Sequence, residues 1–123
     1  MPTILTCGKG RKASEFEYEG DILNGLILKF PSGQVNISSS FLRSIIDTFQ
    51  GKTIELNASM TGKEQFGLGA WIANNSLALN QKRLTRRHAS FIAAVLREFK
   101  ILRVTYIKTS VILTFSASPV NGM

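Results

Sequence analysis

The first third of the chain alternates apolar and polar residues with the period of a β-strand. In "SEFEYEG", residues 14–20, Phe16 and Tyr18 alternate with three glutamates, which is typical of a strand with one face in solvent. "GLILKF" and "QVNIS" follow, and the intervening "PSG" supplies a proline and a glycine for a tight turn. The pattern predicts an antiparallel β-meander within residues 1–37, with a flexible basic arm, "CGKGRK", before it.

After residue 37 the apolar period becomes that of helices. "SSSFLRSIIDTFQG", residues 38–51, offers serines to cap the start of a helix and Gly51 to end it. Its apolar residues share one helical face: Phe41, Leu42, Ile45, Ile46 and Phe49. "KTIELN" predicts a short strand. "EQFGLGAWIANN" has a weaker helical pattern, because Gly67 and Gly69 would each cost about 1 kcal/mol relative to alanine in a helix interior.

The segment "KRLTRRHASFIAAVLREF", residues 82–99, joins a basic cluster to a helical pattern with Thr85 as its predicted N-cap. One side of this helix is predicted to be apolar: His88, Phe91, Ile92, Val95, Leu96 and Phe99. The opposite side is predicted to face a partner: Arg86, Arg87, Ser90, Ala93, Ala94 and Arg97. Its small residues would let a groove or another backbone approach the helix closely.

The last elements form a predicted β-hairpin from "ILRVTYI" and "VILTF". Leu102, Val104 and Tyr106 alternate with Arg103, Thr105 and Ile107, so the two sets fall on opposite faces. Residues 117–123 are predicted to be a flexible tail.

Composition and charge narrow the class of protein. The 123 residues, 44% of them hydrophobic, correspond to one domain, 1–123, that can bury a single core. The net charge of +7 is uneven: residues 1–62 carry six basic and six acidic residues, whereas residues 63–123 carry nine basic and two acidic ones. This asymmetry favours an anionic partner, most often nucleic acid.

The residues of chemical interest indicate a protein that is not an enzyme. Cys7 is the one cysteine, which excludes an internal disulfide and a cysteine-based zinc site and favours a reducing, cytoplasmic location. No apolar run is long enough for a membrane span. His88, the one histidine, lies on the apolar side of its predicted helix, so we expect a partly buried histidine bonded to backbone. The pattern predicts no catalytic residues, no metal site and no cofactor.

The order of elements after residue 37 is helix, short strand, helix, helix, hairpin, which resembles the winged helix-turn-helix family. The resemblance covers roughly residues 38–116. It implies an α+β fold: an N-terminal antiparallel β-meander, then a three-helix winged-helix-like unit with a C-terminal β-hairpin. It further implies that the short strand joins the hairpin in a three-stranded sheet, that the helix from Thr85 is the recognition helix, and that Lys108 lies at the wing tip.

The leading hypothesis is a nucleic-acid-binding protein, with duplex DNA favoured, acting as a small regulator of transcription, for which a homodimer is one expected form. Arginine can bond bidentately to guanine, whereas Lys82, Arg83 and Lys108 are expected to contact phosphates. The predicted nucleic-acid-binding residues are Lys82, Arg83, Arg86, Arg87, Ser90, Arg97 and Lys108. The alternative is a small phage or mobile-element accessory or inhibitor protein that binds a protein partner or an anionic nucleotide. RNA or single-stranded nucleic acid is a third hypothesis.

Overall fold

The described residues form an α+β fold with three helices and two antiparallel sheets. The computed structural model of this chain describes residues 3–5, 15–30, 33–56, 67–80, 84–85, 88–107 and 110–116. The predicted basic arm "CGKGRK" and the predicted tail lie outside the described residues. Within the described residues, no helix is long and apolar enough to cross a membrane.

The N-terminal meander is a sheet of four strands in the order β1-β2-β3-β4. The strands are β1 (Thr3–Leu5), β2 (Glu15–Asp21), β3 (Gly25–Phe30) and β4 (Gly33–Ile37). The predicted strands are confirmed, whereas β1, which pairs antiparallel with β2, was not predicted because three residues are too few for a periodic signal. Phe16 and Tyr18 are buried, and the alternating glutamates face solvent.

The turn between β2 and β3 depends on a glycine with a left-handed backbone. Gly20 has φ of 101°, and a Cβ added there would collide with the carbonyl oxygen of Gly25. Asp21 then fixes the turn, because its carboxylate accepts a bond from the backbone N–H of Asn24 at 2.8 Å. Ile22 in the same turn is buried, so the turn also contributes to the core.

The first helix is confirmed in position, cap and buried face. Helix α1 (Ser39–Phe49) begins after Ser38, whose hydroxyl oxygen accepts the backbone N–H of Phe41 at 3.1 Å. Gly51, with φ of 72°, follows its end. The residues buried by α1 are Phe41, Leu42, Ile45 and Ile46. Its serine cap and apolar spacing are local signals, which is why the sequence alone located this helix.

The second sheet joins a strand from the middle of the chain to the final hairpin. Strand β5 (Thr53–Glu55) pairs with β7 (Ser110–Phe115), which pairs with β6 (Leu102–Ile107), so the order is β5-β7-β6. Leu102, Leu113 and Phe115 are buried. Arg103 and Thr105 are exposed, and so are Tyr106 and Ile107, one from each predicted face.

Helix α2 (Leu68–Asn80) begins and ends later than the pattern indicated. The prediction placed helix within "EQFGLGAWIANN" and treated "NSLALN" as a connection, whereas the helix includes all of "NSLALN". Gly67 precedes the helix with φ of 93°, so its helix-breaking cost does not fall in the interior. Phe41 stacks on Trp71 of α2 with ring centroids 5.6 Å apart, which packs α2 against α1.

Helix α3 (His88–Glu98) is the most deeply buried helix among the described residues. The residues it buries completely are Ala89, Ile92, Ala93, Ala94, Val95 and Leu96. Phe91 makes edge-to-face contacts with Phe16 of β2 and Phe30 of β3, at centroid distances of 5.0 and 4.8 Å. Tyr18 contacts Phe99 in the same manner at 6.3 Å. These rings hold α3 against the meander. After α3 ends, Ile101 and Leu102 at the start of β6 are also buried.

One buried serine connects α2 to the segment before α3. Ser76 is fully buried, and its oxygen accepts the backbone N–H of Leu84 at 2.7 Å. Its hydroxyl lies 3.3 Å from the Leu84 carbonyl oxygen and donates to it. The side chain therefore satisfies both backbone groups of a buried residue that belongs to no helix or strand.

Replacement of Ser76 by alanine is expected to lower the free energy of unfolding by at least about 2 kcal/mol, because the N–H and C=O of Leu84 would be buried without partners. Thr48→Ala removes a hydroxyl from an exposed helical position and is the matched control, with an expected change within about 0.5 kcal/mol. Urea denaturation measures both. Equal stabilities for the two variants would contradict the role of Ser76.

A second prediction concerns alkaline pH. Burial raises the pKa of the Tyr18 phenol above its usual value, and the charge of Glu98 adds to the rise. Because the folded state holds this proton more tightly than the unfolded chain, its contribution is fully present below about pH 10 and is lost as pH rises further. The unfolding free energy of the wild type relative to Tyr18→Phe should therefore fall above about pH 10. Parallel curves for the two proteins from denaturation at each pH would contradict this.

Candidate functional site

Most of the predicted nucleic-acid-binding residues lie outside the described residues. These are Lys82, Arg83, Arg86, Arg87 and Lys108. The other two, Ser90 and Arg97, are both half-buried on α3. They stand seven residues apart, which is about two helical turns or 10 Å along the helix.

The surface between Ser90 and Arg97 is not open. Ala93 and Ala94 are fully buried, so the prediction that they form a small-residue face open to a partner is wrong. The physical reason is that a small side chain permits close approach of any neighbour. Alanine would allow a nucleic-acid backbone to come close, but it equally allows other parts of the same chain to pack against the helix. The described part of α3 therefore offers no continuous side to a groove.

His88 is partly buried and bonded to backbone, as the sequence predicted. It is half-buried, and its Nδ1 accepts the backbone N–H of Thr85 at 3.1 Å. The backbone N–H of His88 donates in turn to the carbonyl oxygen of Thr85, also at 3.1 Å. This pair differs from a capping box, because the backbone carbonyl oxygen of Thr85, not its hydroxyl, accepts the His88 N–H; the Thr85 hydroxyl lies 3.0 Å from His88 Nδ1. The predicted bond from His88 to backbone is confirmed, and its function is to fix the entry to α3.

A basic groove lies at the opposite end of α3, where the helix meets the base of the β6-β7 hairpin. It has a volume of about 910 Å³. Its cations are Arg97, Lys100 and Arg103, and its other lining residues are Leu102, Val104, Thr114, Phe115 and Ser116. None of these described lining residues is acidic. We call this feature the basic groove.

The end of α3 places Lys100 at the basic groove through a Schellman motif. The N–H of Ile101 donates to the carbonyl oxygen of Leu96, and the N–H of Lys100 donates to the carbonyl oxygen of Arg97, both at 2.9 Å. Lys100 has φ of 62°, in the left-handed region. The chain reverses at this residue and continues directly into β6, so the last turn of the helix and the first residues of the strand share one groove.

The strand side of the basic groove is held by the register of the second sheet. Arg103 is paired with Thr114 across β6 and β7, and Thr114 is paired with Thr53 of β5. The Thr53 hydroxyl donates to the Thr114 hydroxyl at 3.4 Å. Leu102 and Phe115, which are nearly inaccessible, form the apolar floor. The exposed Arg103 therefore stands on a fixed sheet rather than on a loop.

Sequence reasoning identified Arg97 but not Lys100 or Arg103 as site residues. The segment "REFKILR", residues 97–103, has a cation at every third position, and this spacing could have indicated a shared basic surface. Arg97 alone is explained by the helix dipole, because a cation in the last turn is favourable without any ligand. That explanation does not extend to Arg103, which is on a strand.

Other chemistry is not evident in the described residues. Within them, no three of the histidine, cysteine, aspartate and glutamate side chains come together in a way that could hold a metal ion. A smaller cavity of about 460 Å³ lies beside the β2-β3 turn and the start of α1. Its lining combines glycines and apolar residues with Asn24, Asn36 and Ser38, and Glu19, its one acidic residue, forms a salt bridge of 3.3 Å with Lys29.

Comparisons of the chain with models of known families, with curated proteins and with solved structures found no match. The interpretation of the site therefore depends on its own geometry and charge.

The buried face of α3 can be tested with an arginine at position 94. Ala94→Arg should lower the free energy of unfolding by at least about 3 kcal/mol, because it forces an unpaired charge into the core. Glu98→Arg places the same side chain four residues along the same helix at an exposed position, and is expected to change stability by no more than about 0.5 kcal/mol. Thermal denaturation of both variants decides whether the face is buried; equal stability would mean that it is open.

Proposed function

We propose that the chain is a non-enzymatic nucleic-acid-binding protein, with duplex DNA as the favoured ligand, that contacts its ligand through the basic groove. The observation that carries the proposal is the convergence of Arg97, Lys100 and Arg103 on one concave surface without an acidic residue in its described lining. This groove lies in the half of the chain that holds the whole excess of positive charge.

The physical basis is the attraction of phosphates to closely spaced cations. Each phosphate that a protein cation neutralises releases condensed counterions, so affinity falls as salt rises. Arginine adds directional bonds to phosphate oxygens, and the Thr114 and Ser116 hydroxyls can donate further ones. The exposed glutamates of β2 would repel phosphates, which confines the ligand to other surfaces.

The winged helix-turn-helix resemblance supports the proposal in a modified form. Strand β5 pairs with the final hairpin in a three-stranded sheet, which is the arrangement that the resemblance implied. In our proposal, however, the ligand contacts the C-terminal end of α3 and the base of the hairpin. The side of α3 that contains Ala93 and Ala94 is too buried to lie in a major groove as a recognition helix does. Lys82, Arg83, Arg86, Arg87 and Lys108 remain sequence-based candidates for further contacts.

A small anionic ligand is the second candidate function, in keeping with a small accessory or inhibitor protein. The observation that favours it is the volume of the basic groove, about 910 Å³, which falls in the range of small-molecule sites. A nucleotide would occupy it with its phosphates on the three cations. Such a ligand would stabilise the folded chain, and it would compete with duplex DNA for the same residues.

The proposal is tested by removing two groove cations. Lys100→Ala/Arg103→Ala should weaken binding to a 20-base-pair duplex and reduce the slope of log affinity against log salt by about 0.9 for each lost phosphate contact. Fluorescence anisotropy over a series of salt concentrations measures both. The matched control is Lys29→Ala/Arg43→Ala, which removes the same charge from residues that do not line the basic groove.

Equal loss of affinity in the two double variants would show that binding follows net charge rather than the groove, and would contradict the proposal. No binding of duplex by the wild type, together with a nucleotide-induced rise in Tm, would favour the small-ligand function instead.

A further inference from the structure

Lys100 has a backbone conformation that its side chain disfavours. Its φ of 62° is left-handed, and among the described residues it is the one non-glycine residue with positive φ. In this region the Cβ of an L-residue approaches the following carbonyl oxygen, and glycine is the usual occupant of this position after a helix. A lysine here therefore stores strain in the folded state.

The fold does not require a lysine at this position. The two bonds of the Schellman motif use only backbone groups, from Lys100 to Arg97 and from Ile101 to Leu96. Glycine would make the same bonds without the steric cost. Lys100 is also exposed, so its side chain fills no space in the core. What the side chain does provide is a cation between Arg97 and Arg103 in the lining of the basic groove.

The chemistry of the lining indicates which part of a nucleic acid would lie there. Its polar side chains are cations and hydroxyls, all of which suit phosphate oxygens. The described lining contains no asparagine, glutamine, aspartate or glutamate, and its one aromatic residue, Phe115, is only 3% exposed. Adenine and cytosine would therefore find no side-chain amide or carboxylate to bond, and no open ring is present for stacking. Arg97 and Arg103 can bond either guanine or phosphate, and the rest of the polar lining, Lys100 and two hydroxyls, favours phosphate.

We infer that the basic groove holds the sugar–phosphate backbone of a nucleic acid without reading its bases, and that Lys100 is a phosphate contact that the chain retains at the expense of stability. This inference rests on the proposed function and specifies it: affinity through the groove is independent of base sequence, and improving the backbone at position 100 weakens binding. Arg97 and Arg103 flank Lys100 as phosphate contacts in the same groove.

The test compares Lys100→Gly with Lys100→Arg. The glycine variant relieves the left-handed strain and should raise Tm by about 3 to 6 °C. It should also weaken binding roughly fivefold to tenfold at 0.1 M salt, by the same factor for an A·T-rich and a G·C-rich duplex of equal length. The arginine variant keeps both the charge and the strain, so its Tm and its affinity should match those of the wild type.

Each other result overturns the inference in a distinct way. A glycine variant that is more stable but binds as the wild type does would remove Lys100 from the contact, while the proposed function would stand if Lys100→Ala/Arg103→Ala still binds less. A glycine variant that loses affinity for one duplex only would mean that the groove reads bases. An unchanged Tm would mean that the lysine carries no strain. If the wild type binds neither duplex, the inference and the proposed function fail together.

Discussion

The burial of α3 against the meander is the constraint on which the rest of the structure depends. Phe91 contacts both Phe16 and Phe30, so one helical side chain joins two strands of the first sheet to the helix. Small residues complete the effect, since Ala93 and Ala94 allow neighbouring parts of the chain to approach closely enough to exclude water. Such close packing stabilises through many weak contacts and leaves little of the helix for another purpose.

Because most of α3 is buried in the core, the partner that we propose would meet it near its C-terminal end. At its start the described contacts are structural, with Thr85 and His88 bonded to each other. At its end the chain turns through Lys100 into β6, and three cations converge where helix and sheet meet. The location of the basic groove thus follows from the packing of the helix. One of these cations, Arg103, is held in place because β6 pairs with β7 opposite Thr114 in the second sheet.

The charge distribution separates two regions of the molecule. The exposed face of β2 carries the alternating glutamates, of which Glu19 is paired with Lys29. The basic groove has cations and no described acidic lining. Surface charges of this kind contribute little to folding stability, but they direct the approach of a charged ligand over distances of about a Debye length. Under the proposed function, the two regions therefore matter for binding rather than for the fold.

The sequence by itself determined the elements whose signals are local. It located α1 through the Ser38 cap and the apolar face, β2 through its alternation, and β6 and β7 through theirs. It also predicted that His88 bonds to the backbone. Only the tertiary structure decided that Ala93 and Ala94 are core, and that residues 97, 100 and 103 line one groove. The reason is that helical and strand periods describe which residues share a face of one element, whereas burial and convergence depend on which elements pack together.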